Sequence, residues 1–102
     1  MAKNRIELHQ QLEQSFGVKA YYQPPESMKL TYPCVVYSFE TFNTRNANNM
    51  PFAINERYKV AYLHKNVDDS RCKAVLRDFD KITHTQHYVT NGVYNDIYYI
   101  YI

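Results

Sequence analysis

Two runs of alternating large side chains constrain this chain most. They are Tyr32-Pro33-Cys34-Val35-Val36-Tyr37-Ser38-Phe39 and Glu56-Arg57-Tyr58-Lys59-Val60-Ala61-Tyr62-Leu63, separated by the polar stretch Asn43-Thr44-Arg45-Asn46-Ala47-Asn48-Asn49. A period of two is the repeat of a pleated strand. The spacing predicts strands over roughly 34–42 and 56–65, with Val35, Tyr37 and Phe39 on a core face and Tyr58, Val60 and Tyr62 opposite Arg57, Lys59 and Lys65. Between them, Asn43 to Pro51 shows no periodicity and is rich in asparagine, which favours turns. A long loop is expected there, and connections of that length usually carry function or lack order.

The flanking segments complete an α-β-β-β-α-β-β order. Leu8, Leu12 and Phe16 recur every four residues over 3–16 and Gly17 follows, as in a helix with a glycine C-cap. A short strand, 18–23, is stopped by Pro24-Pro25. Asp68-Asp69-Ser70 supplies capping side chains, and Cys72, Val75, Leu76, Phe79 and Ile82 stand at helical spacing, predicting a second amphipathic helix of about 13 residues. His87–Thr90 begins a further strand, Asn91-Gly92 suits a turn with positive φ, and Ile97–Ile102 forms the last strand. At 102 residues this is one domain, 1–102, of the α+β class: a mixed, mainly antiparallel sheet with two flanking helices.

Composition narrows the function more by exclusion than by signature. Lys and Arg number 12 against 10 Asp and Glu, interspersed and giving +2, which is not the footprint of a dedicated nucleic-acid binder. The N-terminus is charged where a signal peptide needs an apolar core, and no window reaches membrane-span length. With Gly17 and Gly92 the only glycines, there is neither a phosphate-binding loop nor a nucleophile elbow. Cys34 and Cys72 are expected as free thiols in a reducing compartment.

Histidine was the remaining route to chemistry. His84-Thr85-Gln86-His87 has a spacing that could share a metal on a helix, but the stretch lies where helix gives way to strand, and on a strand the two rings fall on opposite faces, so solvent-exposed histidines are expected and no metal or other cofactor. His64, Lys65, Asp68 and Asp69 are close enough to suggest acid–base chemistry. The simpler reading makes Asp68 and Asp69 cap a helix and His64-Lys65 the polar end of a strand. No catalytic residue is assigned.

Together, the N-terminal helix, the strand entered through Tyr32-Pro33-Cys34-Val35-Val36-Tyr37, the polar loop, the strand Arg57-Tyr58-Lys59-Val60-Ala61-Tyr62, the Asp68-Asp69-Ser70 helix start and the final hairpin resemble tail terminator or head-tail joining proteins of long-tailed bacteriophages and prophages. The resemblance covers nearly the whole chain. It implies a non-enzymatic subunit of a ring, typically a hexamer, that caps the tail tube and joins it to the head. The implied partners are copies of itself, the tail tube protein, the head-tail connector protein, and phage DNA that passes through the lumen without sequence-specific binding; no membrane is involved. The implied places are the host cytoplasm during assembly and the virion's head-tail junction. Asn43, Thr44, Arg45, Asn46, Asn48 and Asn49 would then face the lumen or a partner, and their low charge suits sliding of DNA more than holding it. With 11 Tyr and 5 Phe and no Trp, aromatic strand faces suit subunit interfaces. Tyr58, Tyr62, Tyr99 and Tyr101 are the candidate interface residues, and they equally fit an aromatic core. Alternatives are a head-completion or connector protein, a small cytoplasmic enzyme or toxin using His64 or His87, and a nucleic-acid-binding module with tyrosine stacking platforms.

Overall fold

A computed structural model of the chain describes residues 4–47 and 50–102. The elements run α1 (Arg5–Phe16), β1 (Ala20–Tyr22), β2 (Cys34–Ala47), β3 (Met50–His64), α2 (Arg71–Ala74), a 3-10 turn (Val75–Arg77), β4 (Ile82–Thr90) and β5 (Val93–Tyr101). The fold is α+β in the expected element order.

Local chemistry sets the ends of α1. The Asn4 side-chain oxygen accepts from the Glu7 amide at 2.9 Å, satisfying one of the unpaired N–H groups of the first turn. Gly17 closes the helix at φ 68° with its N–H on the Glu13 carbonyl, a left-handed conformation that a side chain would strain. Leu8, Leu12 and Phe16 are fully buried. Each contributes about 1.5–3 kcal/mol by leaving water.

The sheet has five strands in the order β1-β2-β3-β5-β4. β1 pairs with β2 in parallel and the other pairs are antiparallel. Because side chains alternate, one face presents Val35 and Tyr37 from β2, Tyr58, Val60 and Tyr62 from β3, and Tyr98 and Ile100 from β5. The stripe of α1 packs there, and Val75 and Phe79 close the same side. Arg71 Nη1 donates to the Phe16 carbonyl at 2.8 Å, tying α2 to the end of α1. Both helical elements thus share one face. Among the described residues no helix covers the other, where Val36, Ala61, Tyr99 and Tyr101 stand.

Several expectations need correction. The stretch 43–51 is not an open loop: β2 runs through Asn43–Asn46 to Ala47 and pairs with β3 from Asn43↔Asn55 to Ala47↔Met50. The ladder satisfies backbone groups that asparagine's turn preference would leave to water, and so overrides that preference. Asn48 and Asn49 lie outside the described residues. The second helix is four residues and a 3-10 turn, because Ile82 is drawn into β4. That strand and β5 begin earlier than expected since Asn91 and Gly92, at φ 52° and 76°, make a tight hairpin whose pairing extends from Thr90↔Val93 to Ile82↔Ile100. Tyr58 and Tyr62, expected as interface aromatics, are instead core residues of the fold, at 3% and 0% exposure. Tyr99 and Tyr101 lie on the helix-free face and are partly exposed.

Candidate functional site

On the helix-covered face of β5, Tyr94, Asp96, Tyr98 and Ile100 point inward. A carboxylate among them is costly to bury unless it is hydrogen-bonded, and Asp96 is only 3% exposed. Four donors from three elements converge on it. Its Oδ2 lies 2.7 Å from His64 Nε2 at the end of β3 and 3.1 Å from the Cys72 thiol on α2. Its Oδ1 lies 3.0 Å from His84 Nε2 and 2.8 Å from His87 Nδ1, both on β4.

The two β4 histidines reach the same carboxylate because the strand is not regular. The register shifts between His84 and Gln86, so that His84 faces Tyr98 while His87 faces Asp96. Thr85 is the extra residue of a bulge, which turns a three-residue spacing from opposite faces to one face. This overturns the expected divergence of the two rings. The same device at Glu40, between Phe39 and Thr41, brings the Phe39 and Phe42 rings to 4.8 Å.

Packing holds the imidazoles in place. His64 stacks between Tyr62, at 4.7 Å, and Tyr94, at 5.5 Å, and Tyr94 also stacks on His87 at 5.9 Å. His64 is buried to 2% exposure, so it is no polar strand end. Asp69 is likewise not a simple cap. Its Oδ1 accepts from the Arg71 amide at 3.0 Å, and its Oδ2 accepts the Tyr62 hydroxyl at 2.6 Å. That oxygen also stands 3.9 Å from His64 Nδ1, which is buried without a hydrogen-bond partner.

Burial alone would raise the Asp96 carboxyl. The hydrogen bonds from His64, His84, Cys72 and His87 outweigh it and hold the group well below the usual carboxylate range. An ionised carboxylate only accepts, so His64 Nε2, His84 Nε2 and His87 Nδ1 each donate. Burial, reinforced by Asp96, pushes the Cys72 thiol up to about 12. Burial also opposes ionisation of Asp69, yet the Tyr62 hydroxyl, the Arg71 amide and the Arg71 charge bring its carboxyl below the ordinary value.

Set against protein-family models, curated proteins and solved structures, the chain matches none. The chemistry of the site therefore rests on its geometry.

Beside the cluster a cleft of about 410 Å³ is lined by His64, Val67, Asp69, Cys72, His87 and Asp96, among others. Cys72 is poorly placed as a nucleophile, since its proton is held by burial and by Asp96. In a Cys-His-Asp relay the carboxylate holds the ring nitrogen remote from the thiol. Here Asp96 contacts His64 Nε2, the same nitrogen that lies 3.7 Å from Cys72 Sγ. The Cys72 thiol is thus held as a hydrogen-bond donor to Asp96 and not set up as a nucleophile.

Of the residues suggested by sequence, His64, Asp69, His84 and His87 meet in this cluster, while Asp68 lies exposed on the cleft rim. Lys65 points its ammonium at the Tyr32 ring, 5.5 Å away. Asp96 was missed. Its signal was an acid at an inward position of the alternating run Tyr94-Asn95-Asp96-Ile97-Tyr98, and Cys72 stood only as a free thiol on the helical stripe.

Proposed function

We propose that this protein is a non-enzymatic assembly subunit of the tail terminator type, closing into a hexameric ring that caps a phage tail tube and joins it to the head. The observation that carries the reading is the β2–β3 ribbon. β5 pairs with β3 over Arg57–His64, so the strand segments beyond Asn55, 43–47 and 50–55, pair only with each other among the described residues. The molecule is drawn out to 50 × 30 × 23 Å.

A two-stranded ribbon is marginally stable in water alone, and its free edges invite pairing. Docking on a neighbouring subunit resolves both. At its root lies a shallow groove lined by Arg5, Tyr22, Phe39, Phe42 and Glu56, among others, with Phe42 59% exposed. Together with Tyr99 and Tyr101 this offers aromatic surface for a heterologous contact, which closes into a ring. A ring with one face complementary to the last tube ring and another that no tube subunit recognises ends polymerisation by shape. DNA would cross the lumen past a weakly charged rim.

The test is size-exclusion chromatography with light scattering, alone and with purified tail tubes. Rings, or rings formed only on tubes, are expected. A strict monomer at high concentration that also ignores tubes would sink the proposal, and capture by connector rings in place of tubes would move the subunit to the head side.

A further inference from the structure

We propose that His64, Cys72 and Asp96 form a site for a zinc-class divalent cation, with His64 Nε2, Cys72 Sγ and Asp96 Oδ2 as ligands and the fourth position open to the cleft beside His87. This goes beyond the assembly role and does not depend on it.

The donor set comes first. One imidazole, one thiolate and one carboxylate suit a borderline-soft ion that accepts N, S and O ligands in tetrahedral geometry. The three ligand atoms lie within 4.8 Å of one another, at pairwise separations of 2.7, 3.1 and 3.7 Å. Bonds of about 2.0 Å to N and O and about 2.3 Å to S require ligand separations of about 3.3–3.6 Å. Shifts of about half an ångström satisfy this.

The second observation is the orphaned nitrogen. With Nε2 donating to Asp96, the buried His64 Nδ1 has no partner. When a cation takes Nε2, the ring's proton moves to Nδ1, which faces Asp69 Oδ2 at 3.9 Å. Closing that gap by about 1 Å to hydrogen-bond distance would complete the carboxylate–histidine–metal arrangement by which proteins orient an imidazole ligand. Asp69 is already positioned by Tyr62 and by the Arg71 amide. The Cys72 proton leaves to water as the S–metal bond forms.

The three ligands stand on β3, α2 and β5. A cation joining them would staple the four-residue α2 to the sheet, a gain for a small domain with one modest core.

The experiment uses Co2+ and Zn2+ on the purified full chain. Co2+ should give intense tetrahedral ligand-field bands and a thiolate charge-transfer band at one ion per chain, which Zn2+ then displaces. Cys72→Ser should abolish the charge-transfer band while Cys34→Ser keeps it. Asp69→Asn should weaken Zn2+ affinity about 10–100-fold, as loss of a supporting carboxylate does. Absence of the bands from the wild-type chain overturns the proposal whether or not any variant folds. So does a charge-transfer band that survives Cys72→Ser, or an unchanged affinity in Asp69→Asn.

Discussion

His64 Nε2 lies 2.7 Å from Asp96 Oδ2, and the two side chains, 3% and 5% exposed, form a buried ionisable pair. Removing the charge of one partner leaves the others facing an incomplete acceptor. Asp96→Asn should lower folding stability by about 3 kcal/mol. Urea denaturation followed by circular dichroism measures it, and a change below about 1 kcal/mol would show that the network braces nothing.

Acid should act through the same carboxylate. Asp96 and Asp69 both titrate below their ordinary value of 3.8 in the folded protein, so the unfolded chain binds their protons more readily. Their stabilisation is therefore complete above pH 3.8 and is lost as the pH falls below it. Denaturation midpoints should drop steeply in that window, and less steeply in Asp96→Asn.

Tyr62→Phe keeps the ring packed on Phe16 at 4.9 Å but deletes the 2.6 Å bond to Asp69. The stranded carboxylate should cost about 1–3 kcal/mol. If thermal unfolding is unchanged, water replaces the hydroxyl and Asp69 is less sealed than its 4% side-chain exposure indicates.

Gly17→Ala tests the end of α1. A Cβ there would meet Arg71 Nη1 at 3.7 Å, an ordinary contact, so the penalty comes from φ 68°. About 1 kcal/mol of destabilisation is expected. A larger loss would mean that the Arg71 bond to the Phe16 carbonyl has been displaced as well.

On the helix-free face, the Arg57 guanidinium sits 3.8 Å from the Tyr99 ring centre. The double variant Tyr99→Ser with Tyr101→Ser should leave a folded chain by circular dichroism and abolish ring formation in light scattering. Rings that persist would place the subunit boundary elsewhere.

What the sequence determined by itself was what local order can encode. The stripe Leu8–Leu12–Phe16, the Gly17 cap, the alternation of β2 and β3 and the Asn91-Gly92 turn each rest on residues within a few positions of one another, so side-chain order alone carries them. The tertiary structure decided the rest. The asparagine-rich run became ribbon only because a partner strand met its backbone, and Ile82 left the helix because the β4–β5 ladder claimed it. The bulge at Thr85 reversed the facing of His84 against His87, which no spacing rule could anticipate, since an inserted residue is visible only once the opposite strand sets the register. His64 and Asp96, 32 residues apart, met for the same reason. Pairing between distant segments is a property of the whole ladder, and it brought three histidines onto one buried carboxylate, to which the packing of α2 added Cys72.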